Sequence, residues 1–397
     1  MKFSKRIQAI QPSMTLAVDA KAKELQANGI NVISFGAGEP DFNTPDKIKQ
    51  SGILAIEQNA THYTPVGGIK KLKQAIVNKL ERDNNLVYDK NQVLVSCGAK
   101  HSFFNLAQVL WEEGDEIIIP APYWVSYPDI IQYAGAKPII IDTLNENQFK
   151  VTPDQINEVI TPNTRAIIIN SPSNPTGSAY TKKELEAIAE CALRNKLLII
   201  SDEIYEKIVF DGFDQHSICS IGKEVQKNSI IINGVSKSYA MTGWRIGYLA
   251  GNEEIIKQAT KLQGQSTSNP TSISQIASIT ALEDADSDVK LMVDEFQERR
   301  DALLKSLLNI PSVTCYKPVG SFYAFPDFSA FYGKSFKDKR VSGSIQMANF
   351  LLENGNVALV PGIAFGADKN LRMAFASSMD KIQEGVERIT KTLGLLE

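Results

Sequence analysis

Seven short, mostly apolar runs punctuate the middle of the chain: Val93–Cys97, Glu116–Ile119, Pro138–Ile141, Ala166–Ile169, Leu197–Ile200, Ile230–Ile232 and Gly247–Ala250. They are largely continuous rather than alternating and are separated by helical segments. That pattern predicts a mostly parallel sheet buried on both faces. One intervening helix announces its start, because Thr181 and Glu184 form a T-x-x-E capping box ahead of Leu185, Ile188, Ala189 and Ala192 at helical spacing. Near residue 285 the pattern changes. A long amphipathic helix carrying Val289, Met292, Phe296, Leu303 and Leu307 precedes strands near Ser321–Phe325 and Leu371–Ala376, which reads as a smaller α+β unit. Residues 14–45 read as a helix and strand outside the main alternation. A chain of 397 residues also exceeds the size at which one core keeps growing. The expectation is therefore an α/β protein with an N-terminal arm (1–13), a small α+β domain (14–45 and 286–397) and a large domain (46–285).

Composition narrows the partners. Lysine and arginine total 42 against 45 acidic residues, a formal charge of −3, so there is no basic footprint for nucleic acid or an anionic membrane. With 43% hydrophobic and 22% charged residues, the whole chain is expected to fold. Cys97, Cys191, Cys219 and Cys315 lie far apart, and His62, His101 and His216 are scattered, so no metal site is expected and a reducing compartment fits. Lys2, Lys5 and Arg6 are basic, but Gln8, Gln11, Pro12, Ser13 and Asp19 interrupt any apolar stretch that could serve as a signal peptide. No apolar run approaches the roughly 20 residues needed to span a bilayer. The chain reads as cytoplasmic.

Open parallel sheets bind ligands at the carboxyl ends of their strands, so the residues after each apolar run matter most. Gly98-Ala99-Lys100 follows the first run and feeds a helix, where free backbone N–H groups and the helix dipole suit a phosphate. Alone, such a turn is a common connection. Pro120 to Trp124 offers a flat ring at the same edge. The loop Asn170 to Gly177 presents Asn174, and Asp202 ends a central apolar strand where an unpaired carboxylate is costly. Ser236-Lys237-Ser238 supplies a candidate amine nucleophile, and Arg245 a permanent cation. Together these groups match pyridoxal 5′-phosphate, which has a phosphate, a flat ring, a basic ring nitrogen and an aldehyde that condenses with lysine. Gly36 to Asp41 lacks the third glycine of a dinucleotide-binding fingerprint, and Gly234 to Ser238 lacks the Gly-Lys pair of a P-loop.

At this point the sequence resembles the fold-type I, class I pyridoxal-phosphate aminotransferases, and within them the bacterial branch of aspartate aminotransferases. The likeness covers nearly the whole chain. It rests on Gly38-Glu39-Pro40-Asp41-Phe42, Tyr63 with Pro65 and Gly67-Gly68, Pro122 to Pro128, Asn170 to Gly177, Ser201 to Tyr205, Ser236 to Ser238, Met241 to Gly247 with Arg245, and Arg372. The resemblance implies Lys237 as the Schiff-base lysine, Asp202 beside the pyridine nitrogen, Asn174 and Tyr205 on the ring hydroxyl, and Trp124 stacked on the ring. Gly98, Ala99, Ser236 and Arg245 would hold the phosphate, with Lys100 nearby and Tyr63 reaching it from the partner subunit of a homodimer. Arg372 and Gly38 would take the substrate α-carboxylate. Lys100, helped by Ser13 or Thr15, would contact the distal one.

The implied reaction is amino transfer from L-aspartate to 2-oxoglutarate, giving oxaloacetate and L-glutamate in two ping-pong half-reactions. Same-fold alternatives are aminotransferases for alanine, aromatic amino acids or prephenate, and a carbon–sulfur lyase; Arg372 does not separate them, because every α-amino acid has an α-carboxylate. Gln11, before Pro12-Ser13, stands where prephenate-using relatives often carry a basic residue, which weighs against prephenate. A pyridoxal-phosphate-sensing regulator would call for a DNA-binding module ahead of the aminotransferase pattern, and here that pattern begins within about the first dozen residues.

Overall fold

The computed structural model describes residues 1–397. All seven apolar runs are strands of one sheet: β1 (Val93–Ser96), β2 (Glu116–Ala121), β3 (Lys137–Asp142), β4 (Thr164–Asn170), β5 (Leu198–Asp202), β6 (Ser229–Gly234) and β7 (Gly247–Ala250). Their order across the sheet is β1-β7-β6-β5-β4-β2-β3. Neighbours pair in parallel except at β7, which runs antiparallel to both β6 and β1. Alternate residues of one strand enter different cores. Leu94, Ile200, Ile230 and Ile232 join a cluster of 19 buried residues, while Val93, Val95, Ile199 and Ile231 join one of 72. Both faces are thus covered, as the continuous apolar runs require.

Helices flank the sheet. The capping box forms as read: the Thr181 amide donates to Glu184 Oε2 (2.7 Å), the Glu184 amide points at Thr181 Oγ1, and the helix runs Lys182–Arg194. Such a cap contributes about 1 kcal/mol. After residue 285 the long helix spans Asp286–Leu307, followed by a three-stranded antiparallel sheet of β8 (Tyr323–Ala324), β9 (Val360–Pro361) and β10 (Leu371–Ala374), in the order β9-β10-β8. The early segment is tied to this region, since Ile33–Ser34 pairs in parallel with Val357–Ala358. The larger core continues through Tyr205, Phe322 and Tyr323 into Leu371 and Met373. No helix is long and apolar enough to cross a membrane, and no cluster of metal-ligating side chains is present.

Candidate active site

A cavity of about 390 Å³ opens at the carboxyl edge of the large sheet, between it and the β8–β10 region. Twelve of the sequence-derived site residues line it: Thr15, Gly38, Ala99, Lys100, Trp124, Asn174, Asp202, Tyr205, Ser236, Lys237, Arg245 and Arg372. Gly98 lies directly behind Ala99 as the N-cap of the helix Ala99–Leu110. Ser13 is one contact removed, its hydroxyl 2.9 Å from that of Thr15. Tyr63 is not part of this wall, and its side chain is 92% exposed.

The cradle at the end of β1 depends on close backbone approach. Gly98 has φ of +91°, a conformation that disfavours any side chain, and a Cβ there would meet the Arg245 guanidinium at 2.4 Å. Opposite it, a Cβ on Gly247 would lie 2.2 Å from the Ala99 nitrogen. The amides of Ala99 and Lys100 open the helix with no backbone acceptor, and both residues line the cavity, a ready anion site. Arg245 itself sits in the left-handed region (φ +57°), a strain of about 1–2 kcal/mol for a non-glycine residue. Its guanidinium donates to the Thr242 carbonyl (2.9 Å) and the Cys97 carbonyl (3.2 Å), so the cation is fixed beside the helix start.

Asp202 ends β5 almost fully buried. Its Oδ2 accepts from the Tyr127 hydroxyl at 2.6 Å and its Oδ1 from the Ile204 amide at 3.2 Å. Burial outweighs these bonds and pushes its pKa up to about 6. At neutral pH it remains a carboxylate, held in a place that favours a cationic neighbour. Lys237 follows β6, and its amine donates to the Gly38 carbonyl at 2.5 Å. Loss of solvent lowers its pKa to about 8; Glu39 opposes that shift, while Arg372, Arg245 and Lys100 reinforce it. The neutral, nucleophilic amine is therefore accessible near physiological pH. Lys100 is also shifted down, first by burial and then by Arg245, and its ammonium sits 5.2 Å from the centre of the Trp124 ring.

On the facing wall Arg372 is buried. It donates to Asn174 Oδ1 (3.0 Å) and to the Gly36 carbonyl (2.9 Å), and its Nε has no partner. Two of the five guanidinium donors are thus engaged by the chain, and the others remain for an incoming anion. The guanidinium lies 4.4 Å over the Tyr323 ring, whose hydroxyl is 3.1 Å from that of Tyr205. Tyr127 and Tyr323 were not singled out from sequence. Tyr127 lay inside the Pro122 to Pro128 motif, and the signal for it was the need of the Asp202 carboxylate for a donor. Nothing local marked Tyr323.

A phosphate cradle, a desolvated amine, a buried carboxylate and a guanidinium with unused donors make a site for joining an amine-bearing carboxylate to a phosphorylated cofactor. Comparisons with known proteins agree with that chemistry. Residues 30–389 match the family model described as aminotransferase class I and II. The chain is 48% identical over 392 residues to an aspartate aminotransferase of Geobacillus stearothermophilus, covering 98% of both chains. It is 47% identical over 397 residues to an aspartate/prephenate aminotransferase of Nitrosomonas europaea, covering 99% of this chain and 100% of that one. The crystal structure of an aspartate aminotransferase from Rhizobium meliloti superposes with a TM-score of 0.97 at 38% identity, covering 100% of both chains. With the same fold over its whole length and these groups at one edge of the sheet, the chain belongs to the class I and II aminotransferases.

Proposed function

We propose that this enzyme is an aspartate aminotransferase, moving the amino group of L-aspartate to 2-oxoglutarate with pyridoxal 5′-phosphate, the cofactor of the family. The residues fit that cofactor: the Ala99 and Lys100 amides with Arg245 and Ser236 for its phosphate, Trp124 for its ring face, Asp202 for its ring nitrogen, Tyr205 and Asn174 for its ring oxygen, and Lys237 for its aldehyde. When bound, the cofactor supplies a carbon that takes the amino group and a ring that accepts the electron pair left when the α-proton departs.

The chain's own residues do the rest. Arg372 grips the substrate α-carboxylate through its unused donors, with Gly38 beside it. Lys237 Nζ, uncharged in a useful fraction of molecules, removes the proton from the substrate α-carbon. Asp202 holds a proton on the ring nitrogen, because an ionised carboxylate in a dry site strongly favours a neighbouring cation. Lys100, with Ser13 and Thr15 at the mouth, receives the distal carboxylate. The observation that carries the dicarboxylate assignment is the presence of two separate cations, Arg372 and Lys100, on the cavity that holds Lys237.

The natural assembly in this reading is a homodimer in which Tyr63 reaches the neighbour's phosphate. Its nearly full exposure supports that, as do the exposed Ile53, Leu54 and Ile56 on the helix Asp46–Glu57. The division into an arm (1–13), a small domain (14–45 and 286–397) and a large one (46–285) accounts for a cavity lying between two sheets. All four cysteines are free thiols, in keeping with the cytoplasm.

The test is a panel of amino donors with 2-oxoglutarate, and of acceptors including prephenate. Aspartate and glutamate are expected to exceed alanine and phenylalanine in kcat/KM by about tenfold or more, the worth of a charge-assisted contact to the distal carboxylate. Comparable values across the four donors would remove the dicarboxylate assignment. Light scattering that finds a fully active monomer would remove the shared site.

A further inference from the structure

Tyr323 bridges two parts of the cavity that have separate tasks. It is completely buried on β8 and pairs with Ala374 of β10, two residues beyond Arg372 on the same strand face. This register places its ring beneath the Arg372 guanidinium at 4.4 Å. Its hydroxyl lies 3.1 Å from the Tyr205 hydroxyl and has no other hydrogen-bond partner in the chain. Each phenol has a single proton, so the direction of donation within the pair decides which oxygen is left with a proton to give elsewhere.

We propose that Tyr323 is a positioning residue: its hydroxyl donates to Tyr205, turning the Tyr205 proton toward the cofactor ring oxygen, while its aromatic face seats Arg372 for the α-carboxylate. The proposal rests on the cofactor reading above. Geometry sets this direction. The Tyr323 hydroxyl has no partner in the chain other than Tyr205, so once the Tyr205 proton goes to the cofactor ring oxygen, the Tyr323 proton is the one left to bridge the pair. Burial keeps both phenols protonated. A Tyr205 oxygen that already accepts a hydrogen bond is in turn a stronger donor through its own O–H.

The two roles separate by substitution. In Tyr323→Phe the ring and its volume remain and only the donor is lost. The visible absorbance of the bound cofactor is expected to titrate about half to one pH unit higher, because the ring-oxygen anion loses support, with KM for aspartate within twofold of wild type. Tyr323→Leu should show the same midpoint shift together with a KM for every amino donor about tenfold higher, since Arg372 loses its seat. In a Tyr205→Phe background, Tyr323→Phe should leave the midpoint unmoved. A wild-type midpoint in Tyr323→Phe, a further shift in the double variant, or equal KM rises in the Phe and Leu variants would each overturn the proposal while leaving the cofactor reading intact. Absence of any lysine-linked visible band in wild-type protein would instead overturn the cofactor reading and the proposal with it.

Discussion

The cavity wall bearing Asp202, Lys237 and Arg245 comes from neighbouring strands of one sheet, whereas the wall bearing Arg372 is assembled from chain segments far apart. Asp202 and Gly234 end adjacent parallel strands, and Gly247 pairs with both Gly234 and Ser96. Across the cavity, Arg372 bonds the Gly36 carbonyl over a separation of 336 residues, through strands of two to four residues. The first wall is placed by sheet register and deep packing, so its groups are fixed before any ligand arrives. The second depends on a few side-chain bonds and a segment near the N-terminus. Changes on the sheet wall should therefore appear in kcat, and changes on the facing wall in KM.

The largest expected effect is on the sheet wall. Lys237→Ala should lower kcat on the order of ten-thousandfold, since one amine serves as both nucleophile and base, and should abolish the lysine-linked absorbance. Borohydride trapping that maps to a different lysine would break the comparison at its centre. Next is Asp202→Asn, with kcat expected to fall about a thousandfold and KM to change little.

Asp202→Asn also sharpens the comparison through stability. In the folded chain the Asp202 pKa stands near 6 instead of the ordinary 3.8, so the native state holds this proton more tightly than the unfolded one. Its contribution to stability is therefore lost as pH rises from about 4 through 6, and above that the buried charge is a constant burden. The cofactor-free Asn variant should melt with wild type below pH 4 and about a few degrees higher above pH 6, because Tyr127 can turn its hydroxyl to satisfy the new amide. Thermal melts across pH check this. A lower melting temperature for Asn at pH 8 would show that Asp202 is an ordinary structural carboxylate.

On the facing wall, Arg372→Lys is expected to cost about 10- to 100-fold in kcat/KM for every amino donor, mostly through KM, because an ammonium cannot form the bidentate pair. A loss confined to kcat would contradict the division between the walls. The smallest effect belongs to Lys100→Ala, with kcat/KM falling about tenfold for aspartate and glutamate and within threefold of wild type for alanine and phenylalanine. Lys100 touches both tasks, since its amide belongs to the cradle and its ammonium lies over the Trp124 ring on the cavity wall. Equal losses for all four donors would place its charge with the cofactor.

Much of the sheet wall was legible in the sequence because its determinants are local. Buried strands are apolar runs, the polar residue after each run lies at a strand end, and Thr181 with Glu184 encodes a helix start within four residues. The nearness of Gly98, Asp202 and Lys237 follows from those rules and a parallel sheet. Arg245 does not follow. It precedes β7, and in an all-parallel sheet it would stand at the opposite edge; only the antiparallel course of β7 brings it beside Gly98. Tyr127 as the donor to Asp202, Gly36 as the acceptor for Arg372 and Tyr323 beneath that guanidinium were likewise decided by tertiary structure alone. Periodicity specifies an element and its buried face, whereas the direction in which a strand pairs and the distant residue that satisfies a buried charge depend on register and packing across hundreds of residues.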